Sequence, residues 1–340
     1  PGVAIAATRS FIIRGARAAA RMHGRQLGTT ILAASTVVTL TILVVCMVRA
    51  FQLDSFRSRT VMLTLTALGI FGLLIGDAAI QETMGRPTAR QTTSSYIPAL
   101  VFAVQLLFAI ALFAFSPHNA IWRRPTCHQY MCFVIGVMFI TALYYALEPT
   151  SPQVVSAFGN NAYPLRYLLE PAVAPLTLLA LFKGSLSAAA STVSPEERPM
   201  WRMTRIRELY RCMLLQYFFM GTAFAATFPT WPSLAFNAGF VGLTWVAFYF
   251  NLLTMRGWLQ AGASAQDITD EARWAFSMLQ PVTTLCAHIH PLAWTLAACG
   301  LLSSVQEAVL WCAADACSKT LPMFVLAYFA TRGLKQSDKC

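Results

Sequence analysis

The chain is 340 residues long, 57% hydrophobic and only 11% charged, with a formal net charge of +11. Soluble domains carry about 25% charged residues, so the composition excludes an ordinary soluble domain. The excess positive charge belongs to loops and tails. It is not the footprint of a nucleic-acid partner, and none is expected.

Residues 1–28 form a basic N-terminal segment with Arg9, Arg14, Arg17, Arg21 and Arg25, a pattern suited to anionic lipid headgroups. It has no early apolar core with a cleavage signature, so it does not read as a signal peptide. Nine apolar segments follow, at about 29–51, 61–82, 96–116, 126–147, 163–183, 208–229, 234–254, 271–299 and 304–331. Each is long enough to cross a bilayer as a helix. None shows the alternation of a barrel strand, so helices are the way to satisfy the backbone in lipid. The longest connections are 184–207 and 255–270. The nine cysteines form no Cys-x-x-Cys pair and no zinc spacing, and most lie in apolar runs as small hydrophobes. No metal site is expected.

Lys and Arg alternate between successive connections. Arg123 and Arg124 precede the fourth segment, 148–162 has none, and 183–211 carries Lys183, Arg198, Arg202, Arg205, Arg207 and Arg211. The 230–233 loop has none, 255–273 carries Arg256 and Arg273, the 300–304 turn has none, and the tail carries Arg332, Lys335 and Lys339. Positive charge favours the cytoplasmic side, which puts the C-terminus, with the 334–340 tail, in the cytoplasm of an integral, multi-pass protein. Arg86 and Arg90 break the pattern, so either one or both of the first two segments cross.

The last segment contains Asp315 and Lys319, four residues apart and therefore on one helix face. An ionisable group at membrane depth points to function. One reading is a buried ion pair. Snorkelling is disfavoured, because residues 320–331 follow without a charge. The chemical reading is that a lysine amine in an apolar site condenses with an aldehyde to a Schiff base, with Asp315 as counterion.

The neighbouring segments favour the chemical reading. D-A-C-S-K (315–319) resembles the D-x-x-x-K of the microbial, type I, rhodopsin family. H-P-L-A-W (290–294) is similar to that family's aromatic-Pro-x-x-Trp. R-Y-L-L-E-P-A-V-A-P-L (166–176) resembles R-Y-x-x-W-x-x-T-x-P-L at Arg166, Tyr167, Pro175 and Leu176. M-G-T (220–222) is similar to a Gly-Thr pair near the retinal ring. The resemblance implies an all-α membrane protein. Its seven-helix retinal-binding bundle would span 91–333, preceded by one or two extra transmembrane helices in 29–90. Extra N-terminal helices occur in rhodopsins coupled to effectors, such as bestrhodopsins and rhodopsin cyclases or phosphodiesterases. Retinal would be covalently bound to Lys319, with Trp294 packed on the polyene. Arg166, Leu169, Val173, Ala174, Phe219, Ala287 and Pro291 would line its surroundings.

The departures from the family carry the functional information. Leu169 and Ala180 stand where pumps carry proton-accepting and reloading carboxylates, and Val173 stands in the middle of that triplet, so pumping is not expected. Glu170 replaces a Trp. Pro171 and Pro175 kink helices by freeing carbonyls, which would rotate Glu170 towards the chromophore as a second, displaced counterion; a salt bridge to Arg166 is the simpler alternative. A carboxylate along the polyene narrows the excitation gap, so red-shifted absorption is expected. His290 takes an aromatic position, with His288 nearby. Gln216 falls where an acid or hydrogen-bonding partner is common. Glu307 resembles the extracellular glutamate found near proton exit in pumps, with a solvated helix end as the simpler reading. Tyr144 and Tyr145 are candidate pocket hydroxyls, one of them facing lipid.

The reading that follows is a non-pumping light sensor, not an enzyme. It would relay retinal isomerisation to a fused or associated effector, a channel or a cyclase or phosphodiesterase, within a homo-oligomer. The alternative is a light-gated channel in its own right, although 126–147 has no glutamate to line a cation path. A transporter or scaffold with a buried Asp–Lys pair is the non-photobiological alternative.

Overall fold

A computed structural model describes residues 57–84, 97–115, 125–156, 161–189, 192–227, 234–265, 268–322 and 324–325. Eight α-helices occur among them: α1 Arg57–Met84, α2 Ile97–Phe115, α3 Pro125–Leu147, α4 Arg166–Ala189, α5 Arg198–Thr227, α6 Leu234–Ala263, α7 Asp270–Ala298 and α8 Ser304–Asp315. Helix α8 continues as a π-helical stretch, Ala316–Thr320. The expected segment 29–51, the basic segment 1–28, Arg86, Arg90, Arg123, Arg124 and the tail lie outside the described residues.

Windows in α1 (Thr64–Gln81), α3 into the following turn (Cys132–Thr150), α4 (Arg166–Ser185) and α6 (Asn237–Ala263) are long and apolar enough to cross a membrane. Large apolar side chains such as Phe71, Leu100, Leu107, Phe108, Leu285 and Val309 are exposed. Such a surface suits lipid and not water. The protein is an integral membrane protein.

Two expectations are corrected. The connection 184–207 is largely helical, because α4 runs on to Ala189 and α5 starts at Arg198. An apolar window misses those turns: the start of α5 carries arginines, and a helix continues past the apolar run wherever its polar end is solvated. In the same way α6 extends to Ala263, leaving a short link to α7. The 148–162 connection contains a small antiparallel ladder, with Val154 opposite Ala162 and Val155 opposite Asn161.

Helix starts follow their caps. Thr269 accepts from the Ala272 amide and opens α7, and Ser303 with Gln306 forms a capping box at α8. Pro175 has no N–H to give the Pro171 carbonyl; the Tyr217 hydroxyl of α5 donates to that carbonyl at 3.3 Å. The extra helix α1 packs on α3 and α4. Gly69 makes that close approach possible: a Cβ there would lie 3.0 Å from the Ala172 carbonyl oxygen. At the end of α1, buried Asp77 accepts from Ser151 at 2.8 Å and Gln81 at 2.7 Å.

Candidate functional site

Lys319 lies within the π-helical stretch, where the i→i+5 pattern adds a residue to the turn, a feature frequent at functional sites. Its side chain is buried. Nζ donates to Asp315 Oδ1 at 2.5 Å and lies 2.6 Å from Glu170 Oε1. Asp315, fully buried, also accepts from the Tyr145 hydroxyl at 2.7 Å on Oδ2 and from His290 Nε2 at 2.6 Å on Oδ1. Helices α3, α4, α7 and α8 therefore converge on the Asp315–Lys319 pair. Charge removed from water in this way persists only when paired and hydrogen-bonded; here the ammonium has two carboxylates and Asp315 has three donors.

Glu170 is held from its other side. Its Oε2 accepts from Gln216 Nε2 at 3.3 Å, and Gln216 Oε1 accepts from Asn251 Nδ2 at 2.5 Å. Asn251 Oδ1 in turn accepts from the Cys212 thiol. Glu170, His290 and Asp315 bring ligand atoms within 4.8 Å of one another. That is the spacing of a cation site, and the Lys319 ammonium occupies the cation's place.

A second buried ionic group lies beyond Asp315. Arg166 donates to Glu307 at 2.9 Å and to Glu148 at 3.2 Å, and the Tyr144 hydroxyl donates to Glu148 at 2.7 Å. The guanidinium stands 5.1 Å from the Trp311 ring centroid, and Trp311 meets the His290 ring edge-on.

Between these groups and α5–α6 lies a cavity of about 110 Å³. Of the residues singled out in the sequence, Lys319, Glu170, Val173, Ala174, Gln216, Phe219, Ala287, His290, Pro291 and Trp294 line it. Sequence reasoning missed Asn251, Thr283 and Trp311 on its wall. Asn251 had the one legible signal, an amide in an apolar helical run. Trp294 is oriented by its Nε1–H, which donates to Thr227 at 3.0 Å.

Several expectations are corrected. Glu170 is not displaced: its carboxylate meets the same nitrogen as Asp315, so the charge along the polyene invoked for red-shifted absorption is not found. Helix α4, with Pro171 and Pro175 inside it, places the Glu170 carboxylate directly at Nζ. Arg166 pairs with Glu148 and Glu307 instead of Glu170. Glu307 is a buried ion-pair partner and not a solvated end. Tyr144 and Tyr145 are both buried; neither faces lipid, because their rings pack edge-on and their hydroxyls serve Glu148 and Asp315. Leu169 is buried in the main core, off the cavity wall. His288 binds the Thr284 carbonyl of its own helix at 2.6 Å and does not reach Lys319.

Neither a protein-family model nor a curated protein matches the sequence. Solved structures do match the fold. The thermophilic rhodopsin of Rubrobacter xylanophilus aligns with a TM-score of 0.55 at 18% identity, over 70% of this chain and 94% of that one. The transmembrane domain and linker region of Salpingoeca rosetta rhodopsin phosphodiesterase aligns with a TM-score of 0.56 at 13% identity, over 82% of this chain and 84% of that one. The red light-activated channelrhodopsin Chrimson aligns with a TM-score of 0.51 at 16% identity, over 71% of this chain and 79% of that one. The chain has the microbial-rhodopsin fold. The phosphodiesterase match covers more of the chain than residues 97–340 can supply, so it extends into the N-terminal part.

Proposed function

We propose that the chain is a retinal-binding light-sensing module in which Lys319 carries the chromophore. The observation that carries this reading is a single lysine, buried between two carboxylates, on the wall of a mostly apolar cavity. The fold alone would not carry it, since one fold hosts many functions. The residues fit retinal: an amine open to the cavity for the aldehyde, Asp315 and Glu170 to balance a cation at Nζ, and Val173, Phe219, Met220, Phe248 and Trp294 to hold a polyene and exclude water. When bound, retinal supplies light absorption and isomerisation. The chain's own part is to hold the Nζ charge, to fix Asp315 through Tyr145 and His290, and to keep Trp294 in place through Thr227.

The module relays light without pumping. Leu169, Val173 and Ala180 are buried and apolar, so no titratable group replaces the pump carboxylates at those places. A fused or associated effector, a channel or a cyclase or phosphodiesterase, receives the signal. The neighbour described as a rhodopsin phosphodiesterase supports that coupling by analogy, and one described as a channelrhodopsin supports the alternative of a channel formed by the chain itself. The C-terminus lies in the cytoplasm by its Lys and Arg content, and the chain assembles as a homo-oligomer.

The test is an absorption spectrum of the purified chain with added all-trans retinal, beside Lys319→Ala. A visible band lost in the variant is expected. No band in either sample would leave the lysine as a buried ion-pair partner only.

A further inference from the structure

We propose that Gln216, Asn251 and Cys212 are positioning residues: a hydrogen-bond chain of one direction that holds Glu170 on Lys319 and ties the lysine site to α5 and α6. The inference rests on the reading of Lys319 as the chromophore-bearing residue.

The direction of the chain is fixed at the Glu170 end, and the thiol end agrees with it. An ionised carboxylate only accepts, so Gln216 turns its nitrogen to Glu170 and its oxygen to Asn251 Nδ2. Asn251 then presents its oxygen to Cys212, whose thiol is the donor there. Reversing either amide would set oxygen against oxygen, or leave a buried N–H without an acceptor. Asn251 is 1% exposed, Cys212 0% and Gln216 8%, and an unmade buried hydrogen bond is expensive.

Glu170 needs such a hold. Its Oε1 has the Lys319 ion pair but no aligned hydrogen bond, so the amide on Oε2 sets the carboxylate's orientation. A second contact comes from the next residue of α5. Tyr217 donates to the Pro171 carbonyl that Pro175 leaves without a helical donor. Consecutive residues of α5 thus grip the side chain of Glu170 and the backbone of Pro171, at the place where α4 lacks its own hydrogen bonds. A change of charge or position at Glu170 reaches Cys212 through two amides, across three helices.

The test reads the thiol directly. Infrared spectra of the full chain, before any retinal is added, give the Cys212 S–H stretch, assigned by its loss in Cys212→Ser. It is expected at the lowered frequency of a bonded thiol. Asn251→Leu, which leaves the thiol only the main-chain carbonyl of residue 251 at 3.9 Å, is expected to move it most of the way to the free-thiol position, and Glu170→Gln to move it a smaller part of the way. After retinal is added, Asn251→Leu and Cys212→Ala are expected to displace the absorption maximum in the same direction as Glu170→Gln. Neither is expected to add to the shift already present in a Glu170→Gln background, and Cys212→Ser, which keeps a donor, should restore the original maximum. An S–H band that Glu170→Gln leaves in place, or a shift from Asn251→Leu that adds in full to that of Glu170→Gln, would overturn the proposal. If Asn251→Leu does not fold, Cys212→Ala against Cys212→Ser makes the same comparison. If no pigment forms, the chromophore reading fails while the infrared arm still decides the chain.

Discussion

Two carboxylates share one ammonium at Lys319, and they share it at the same atom. Ground-state positive charge on a retinal linkage concentrates at the nitrogen and moves along the polyene on excitation. A carboxylate at the nitrogen therefore lowers the ground state more than the excited state. Both Asp315 and Glu170 stand in that position, at 2.5 and 2.6 Å from Nζ. Glu170→Gln is accordingly expected to shift the absorption maximum to longer wavelength, and Asp315→Asn to do the same with greater loss of pigment, since Asp315 also receives Tyr145 and His290. An unmoved maximum in Glu170→Gln would remove Glu170 from the site. A second residue prediction concerns Arg166. Replacing it with Leu leaves Glu148 and Glu307 buried without their cation. Breaking such a pair costs about 3–5 kcal/mol, so thermal unfolding of Arg166→Leu in detergent should begin well below that of the unaltered chain. Unchanged melting would mean that water enters this end of the bundle. The sequence made Lys319 and Asp315 legible through their four-residue spacing. It could not show Glu148 with Glu307, because those partners come from different elements and only the packing of α3, α4 and α8 brings them to Arg166.

Helices were the most legible element of the fold, because a long apolar run allows little else in lipid. Their ends were less so, and the π-helical stretch at Ala316–Thr320 left no mark in the pattern, since an inserted residue changes hydrogen bonding and not composition. The extra helix α1 was foreseen as a crossing segment, but its docking was not. Gly69, Gly76 and Gly136 show where it docks and how tightly. A Cβ at Gly69 would meet Ile140 Cδ1 at 2.7 Å and the Ala172 carbonyl oxygen at 3.0 Å. A side-chain tip yields and a carbonyl does not. At Gly76 the contact is the tip of Leu168, at 2.2 Å. Gly69→Leu is therefore expected to destabilise the chain by about 1–3 kcal/mol, in the range of overpacking, and Gly76→Ala by less. Ala172 adjoins Val173 of the cavity wall, so Gly69→Leu should also displace the absorption maximum while Gly76→Ala leaves it in place. Equal effects from the two would mean that α1 shifts as a rigid rod and does not press on α4 at one point.

At the scale of the whole molecule the question is whether light moves ions or only shape. A pump needs groups that take up and release protons on both sides of its switch. Here the two sides differ in kind. Towards α5 and α6, Glu170 leads to two amides and a thiol, none of which relays a proton to water, and Leu169, Val173 and Ala180 are buried hydrocarbon. Beyond Asp315, Arg166 is closed between Glu148 and Glu307. On the proposed reading, a proton released from Nζ in the light would have nearby acceptors but, among the described residues, no onward carrier on the Glu170 side, and would return by the route it took. Vesicles carrying the chain with retinal, illuminated with a pH electrode in the bath, are expected to show no sustained acidification or alkalinisation, with or without a protonophore. The same vesicles under voltage clamp should pass no light-dependent current if the signal leaves through an effector. A sustained, protonophore-sensitive pH change would require a carrier that the buried residues between α4 and α6 do not provide, and would overturn the non-pumping reading. A passive light-gated current without a pH gradient would instead make the bundle itself the channel.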